Sequence, residues 1–239
     1  MRFPAASARL MSRFLCAAAL SAGVVSAATS AIPSAAADGC SDVEVVFARG
    51  MGDPVGPGPL GAAFADSLRS KLAGRSVGVY GVNYPADVNF LRVSDGVADA
   101  TNHIQWLAAN CPATKVVLGG FSEGAAVVDI LAGANLPGLN AVPALGAIPY
   151  VNEVLPAIGS AAPLPADLND RVAAVAVFGN PLGKVSGPLN TASPVFGART
   201  IDLCYPGDPI CSEGKNMTLH HQYVPGDTDQ AATFVAGLL

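Results

Sequence analysis

Short apolar runs alternate with amphipathic stretches along most of the chain. The runs over 43–48, 77–82, 115–118 and 172–178 are rich in valine and lack a clean polar/apolar alternation. That is the pattern of strands buried on both faces of a parallel sheet. Between them, 60–72 sets Leu60, Phe64, Leu68 and Leu72 four residues apart on one helical face, and 94–109 and 122–131 also read as helices. A fifth strand over 200–203 and a closing helix over 229–238 complete the series. Strand and helix in alternation predict an α/β, doubly wound, three-layer sandwich with right-handed crossovers and a central, mainly parallel sheet of about five strands. No internal repeat is visible.

One tract departs from this rhythm. From Ala134 to about Asp170 the chain is rich in proline, glycine, alanine and leucine, with few charges. A structureless tract of that length in a compact domain is either a functional flap or an ordered surface excursion, and both readings stand at this point. Its place after the third helix would let it fold over the ends of the strands.

The N-terminus has its own character. Arg2, Arg9 and Arg13 precede or flank an apolar run from Phe14 to about Val25, and small residues follow, ending Ala35-Ala36-Ala37. This is the layout of an export signal over 1–37, too short and too rich in alanine and serine for a membrane span. The remaining segment, 38–239, is expected to form one domain. Without the three arginines, 10 basic residues face 18 acidic ones, a balance that argues against nucleic acid as a partner. With 51% hydrophobic and 13% charged residues, the surface must show apolar area, which suits contact with lipids or apolar esters. Export also gives the cysteines a meaning. Cys16 falls in the leader, leaving Cys40, Cys111, Cys204 and Cys211. Three pairings are possible, and the short spacing of Cys204 and Cys211 favours a local bridge, with Cys40 to Cys111 as the long one.

The candidate chemistry centres on Gly120-Phe121-Ser122-Glu123-Gly124. A Gly-x-Ser-x-Gly sequence alone is weak, but here a buried-strand pattern precedes it and a helix follows. Ser122 therefore falls on a tight strand-to-helix turn that needs glycine on both sides and that presents Oγ at a helix N-terminus. The backbone N–H of Glu123 would face a developing oxyanion there. The alternative role for Ser122 is a plain helix cap. A serine nucleophile needs a base. His103 lies mid-helix and upstream, and reads as a surface or packing residue. His220 and His221 follow the serine, matching the chain order serine, acid, histidine. For the acid, Asp208 sits in the loop that the short disulfide would stiffen; Asp202, at a strand end, is the runner-up, and Asp227 and Asp229 look like turn and cap residues.

Taken in order, Val46-Phe47-Ala48-Arg49-Gly50, Tyr84-Pro85, the Gly-Phe-Ser-Glu-Gly turn, Phe178-Gly179-Asn180-Pro181, and Cys204-x-x-Gly207-Asp208-Pro209-x-Cys211 followed by His220-x-x-Tyr223 resemble the cutinases. The likeness is greatest to the secreted cutinase-like serine esterases of actinobacteria (mycobacteria), and it spans nearly all of 38–239. It implies an α/β-hydrolase fold, a catalytic triad of Ser122, Asp208 and His220, and the same two disulfides. It also implies an oxyanion hole built from the N–H groups of Met51 and Glu123. Neither a metal nor an organic cofactor is implied. The expected partner is an ester or lipid substrate, met by a secreted monomer with peripheral contact to lipid or the cell envelope. Two positions depart from the family pattern: Met51 replaces the usual serine or threonine, losing a hydroxyl donor, and Glu123 stands where glutamine is common. Loss of one such donor costs on the order of 10² to 10³ in rate, so a weaker or differently tuned esterase is expected. Phospholipase, lipase or acetyl-polysaccharide esterase activity on the same triad, and a catalytically weak lipid-binding protein, are the alternatives.

Overall fold

The computed structural model describes residues 39–87, 92–135 and 161–239. Five strands form one sheet: β1 (Val43–Ala48), β2 (Val77–Gly81), β3 (Lys115–Phe121), β4 (Val172–Phe178) and β5 (Thr200–Leu203). Their order is β2-β1-β3-β4-β5, with every neighbouring pair parallel. Successive crossovers leave β1 in opposite directions across the sheet, so a crevice opens where β1 and β3 end side by side. Ser122 follows β3, and Arg49 follows β1.

Both faces of the sheet are covered, which explains the missing polar alternation. Val46, Leu118, Val175 and Val177 pack against α2 (Val93–Asn110) and α3 (Glu123–Leu131) through Ile104, Leu107, Val127 and Leu131. The opposite face carries Val45, Phe47, Val117 and Phe178, which meet Leu60, Phe64 and Leu68 of α1 (Gly58–Lys71) and the C-terminal helix (Gly226–Ala236). The edge strand β2 is half-buried throughout, in contrast to the central strands.

Sequence and structure differ in three places. Strand β3 runs beyond 118 to Phe121, because Gly119 and Gly120 continue the ladder opposite Phe47 and Ala48. Glycine hides this extension from a hydrophobic pattern, yet only glycine fits: a Cβ on Gly119 would lie 2.4 Å from the Phe47 ring. Within the tract expected to be irregular, Ala166–Arg171 forms a 3-10 helix whose last side chain donates to the carbonyls of Pro112 at 2.5 Å and Cys111 at 2.9 Å. Two short helices, Gly183–Ser186 and Leu189–Ala192, were not legible in the periodicity. Residues 136–160, the middle of the tract read as either a flap or a surface excursion, and the leader over 1–37 lie outside the described residues. Among the described residues no helix is long and apolar enough to cross a membrane. The disulfides join Cys40 to Cys111 and Cys204 to Cys211.

Candidate active site

Ser122 occupies a backbone conformation that a side chain rarely tolerates, with φ 54° and ψ −117°. Such positive-φ geometry costs on the order of 1–3 kcal/mol and persists only where the surroundings enforce it. Here they do. The Ser122 N–H donates to the Phe178 carbonyl at 2.9 Å, holding the turn to β4. A Cβ on Gly120 would lie 2.3 Å from the Gly124 oxygen, and one on Gly124 would lie 1.9 Å from the Ala48 oxygen. The flanking glycines are thus steric requirements of the bend. The Ser122 side chain makes no capping hydrogen bond to α3, so the helix-cap alternative is not what the structure contains. Glu123 opens α3, where an N–H has no acceptor within its own helix and points to the crevice end.

The second half of the site is built by the disulfide loop and the 3-10 helix Met217–His221. Asp208 is fully buried, and its Oδ2 lies 2.7 Å from His220 Nδ1. The same oxygen accepts the Tyr223 hydroxyl at 2.6 Å, while Oδ1 accepts the Ile210 N–H at 2.7 Å. Three donors therefore solvate this carboxylate in place of water. Tyr223 is buried too, accepts the Tyr205 N–H at 3.0 Å and contacts Cys211 Sγ at 3.5 Å, tying the acid to the bridge. Burial and the adjacent Asp208 push the Tyr223 phenol up, so it remains a donor. In the sequence Tyr223 stands out only as the tyrosine three residues after His220. Its hydrogen bond to the acid was invisible because nothing local in the sequence pairs residues 208 and 223.

Phe121 connects the parts. Its ring stacks on His220 with centroids 4.8 Å apart, and a Cβ on Gly50 would lie 2.7 Å from its Cδ1. Gly179 closes the opposite side of the histidine, leaving only 2.8 Å from a virtual Cβ to His220 Cε1. The loop after β1 is held by Arg49, whose guanidinium donates to the carbonyls of Asp53, Val82, Tyr84 and Pro85. The Tyr84 hydroxyl returns a bond to the Arg49 carbonyl at 2.6 Å. Within that loop Asp53 accepts the Gly50 N–H at 3.1 Å; burial raises its pKa, and His221 and His220 are near enough to oppose the shift. Met51 sits between, 44% exposed. The loop, the histidines and the serine turn thus meet at one end of the sheet.

Glu123 differs from every other acid at this end. It is fully buried, and neither carboxylate oxygen meets a donor among the described residues. Burial pushes its pKa up to about 8; Asp87 reinforces the shift and Arg49 opposes it. The remaining candidates separate cleanly. Asp202 accepts from Asn180 Nδ2 at 3.0 Å and from the Leu189 N–H at 2.8 Å, and Asn180 also donates to Asp129 at 3.1 Å. Asp202 therefore serves a buried polar cluster and pairs with no histidine. Asp229 pairs with Lys71 at 2.7 Å, and Asp227 lies in the first turn of the C-terminal helix, its N–H donating to the Tyr223 carbonyl at 3.1 Å. His103 lies 2.6 Å from Glu44 and stacks on Tyr80, as its packing role predicts. Among the described residues no cluster of three or more His, Cys, Asp or Glu is arranged to hold a metal ion.

Comparison with known proteins adds an independent line. A family model described as Cutinase matches residues 39–239. A phospholipase named Culp4 from Mycobacterium tuberculosis is 47% identical over 235 residues, covering 98% of this chain and 94% of its own. A carboxylesterase named Culp1 from the same organism is 42% identical over 232 residues, covering 91% of this chain and 94% of its own. Among solved structures, a Trichoderma reesei cutinase in complex with a phosphonate inhibitor superposes with a TM-score of 0.59 and 34% identity, over 83% of this chain and 77% of its own.

Proposed function

The chain belongs to the cutinase family of carboxylic ester hydrolases, and on that premise we propose that it is a serine esterase working through Ser122, His220 and Asp208. Ser122 Oγ attacks the ester carbonyl carbon while His220 Nε2 takes its proton. The carbonyl oxygen becomes an oxyanion, received by the N–H groups of Met51 and Glu123. Collapse expels the alcohol, protonated by His220, and leaves an acyl-serine. Water, deprotonated by the same histidine, releases the acid and restores Ser122. Asp208 holds the His220 tautomer through Nδ1 and stabilises the imidazolium that forms at each step.

One observation carries this reading: a buried Asp208–His220 pair, 2.7 Å apart, stacked on the residue that immediately precedes a strained, uncapped serine. At position 51 only the backbone donor is available, which supports a slower or differently tuned enzyme. Met51, Val55 and Met217 are exposed apolar side chains in the two loops that flank the site, and they favour esters with apolar acyl chains. A phospholipid is the second reading, favoured by the relative named as a phospholipase at 47% identity. We propose that 1–37 is an export signal, that 38–239 is the mature domain, and that it acts outside the cell as a monomer in peripheral contact with the envelope. The two disulfides support an oxidising compartment.

Hydrolysis of p-nitrophenyl esters of graded chain length and of phospholipid vesicles, by mature protein and its Ser122→Ala variant, tests both readings. The variant is expected to lose turnover and labelling by a fluorophosphonate. Activity that survives in the variant overturns the mechanism, and mature protein that binds lipid without turnover or labelling makes it a binding protein instead.

A further inference from the structure

A carboxyl group buried beside the nucleophile needs a purpose or a partner, and Glu123 has no hydrogen-bond partner among the described residues. The nearest cation, Arg49, directs its N–H groups to four backbone carbonyls. The groups that face Glu123 can be named element by element. After β1 there is Arg49; after β2 there are Tyr84 and Asp87, whose charge disfavours ionisation of Glu123. Tyr84 keeps its own proton through burial and donates to the Arg49 carbonyl. The charged groups of α2 are engaged elsewhere: Arg92 pairs with Asp95, and Asp99 accepts from Tyr80 and the Asn83 N–H. β3 and β4 carry no charged side chain other than Lys115, exposed at the start of β3. The other acid of α3, Asp129, faces Asn180 and Asp202 away from the crevice. The helix N-terminus favours an anion modestly, but burial without a hydrogen bond outweighs it.

Resting on the triad reading above, we propose that Glu123 is a positioning residue that must be neutral for turnover: its proton keeps a negative charge away from the oxyanion that its own N–H receives, and its ionisation switches the esterase off. Donor and carboxyl belong to one residue at the start of one helix, so a negative charge on Glu123 and one on the oxyanion repel. The oxyanion develops only on the way to the transition state, so ionisation lowers kcat and leaves KM nearly unchanged. With titration at about 8, roughly one-tenth of the enzyme is neutral a pH unit higher.

The test is the pH profile of kcat for a soluble ester, corrected for spontaneous hydrolysis and read beside circular dichroism over the same range. The native enzyme is expected to lose about tenfold in kcat between about pH 7 and pH 9, with its fold intact. In Glu123→Gln, which keeps the shape and cannot ionise, that falling limb is expected to vanish; Glu123→Leu serves where the amide disturbs folding. A native kcat that stays flat while Ser122 labels with a fluorophosphonate overturns this inference alone, as does a limb that persists in both variants. A native enzyme without turnover or labelling at neutral pH overturns the triad reading and this inference with it.

Discussion

Two fully buried acids stand at this end of the sheet, Asp208 beside His220 and Glu123 next to Ser122, and they are built in opposite ways. Asp208 receives Tyr223, the Ile210 N–H and His220, so protein donors replace its hydration. Glu123 receives none among the described residues. Burial favours the neutral form of a carboxyl wherever protein donors do not replace water. The division suits the proposed mechanism: the acid assigned to balance the imidazolium is supplied with donors, and the acid whose N–H is assigned to the oxyanion is not.

Asp208→Asn breaks the solvated side most severely. The amide can present N–H to His220 Nδ1, which favours the wrong tautomer, and kcat is expected to fall by about 10⁴ with the fold retained. Single-turnover kinetics with an activated ester check it. Glu123→Gln acts on the other side and reads out in stability. The folded-state pKa of about 8 lies above the ordinary value of 4.5, so the folded protein binds more protons than the unfolded one between these values. Stability contributed by the neutral acid is thus intact below about 4.5 and is lost as pH rises towards 8, by on the order of a few kcal/mol. Urea unfolding at both ends of that window should show this slope in the native protein and a smaller one in the variant. Tyr223→Phe sharpens the comparison by removing one donor of three from Asp208. It also strips the Tyr205 N–H of its acceptor, and a loss of about 1–3 kcal/mol in stability is expected, with a modest fall in kcat. The smallest change in stability is expected from Ser122→Gly against Ser122→Ala, two variants equally without the nucleophile: glycine relieves the positive-φ strain and should be more stable by about 1 kcal/mol in urea unfolding.

The fold was legible where side chains report their burial. Valine-rich strands and the Leu60-Phe64-Leu68 stripe appear where the periodicity puts them, and Val43–Ala48 and Val172–Phe178 match residue for residue. It was illegible where backbone packing decides, as at Gly119 and Gly120, whose missing side chains hide the end of β3 against Phe47. The turn at Ser122 and the pairing of Asp208 with His220 were legible from order and local motif. The residues that organise them were not. Phe121 touches His220 and the Gly50 loop through long-range packing, and Tyr223 reaches Asp208 across a loop. Glu123 was legible as an unusual residue but not as an unsolvated one, because its burial depends on chain segments near 49 and 84 that lie far from it in sequence.

Arg49 anchors its loop by gripping backbone carbonyls alone. A carbonyl is present at every position whatever the residue, so these four bonds do not themselves depend on the side chains at 53, 82, 84 and 85. Two of those side chains hold the frame in their own right: Asp53 accepts the Gly50 N–H and the Tyr84 hydroxyl donates to the Arg49 carbonyl. Loss of the single arginine would release all four carbonyls at once, whereas loss of either of those side chains removes one bond.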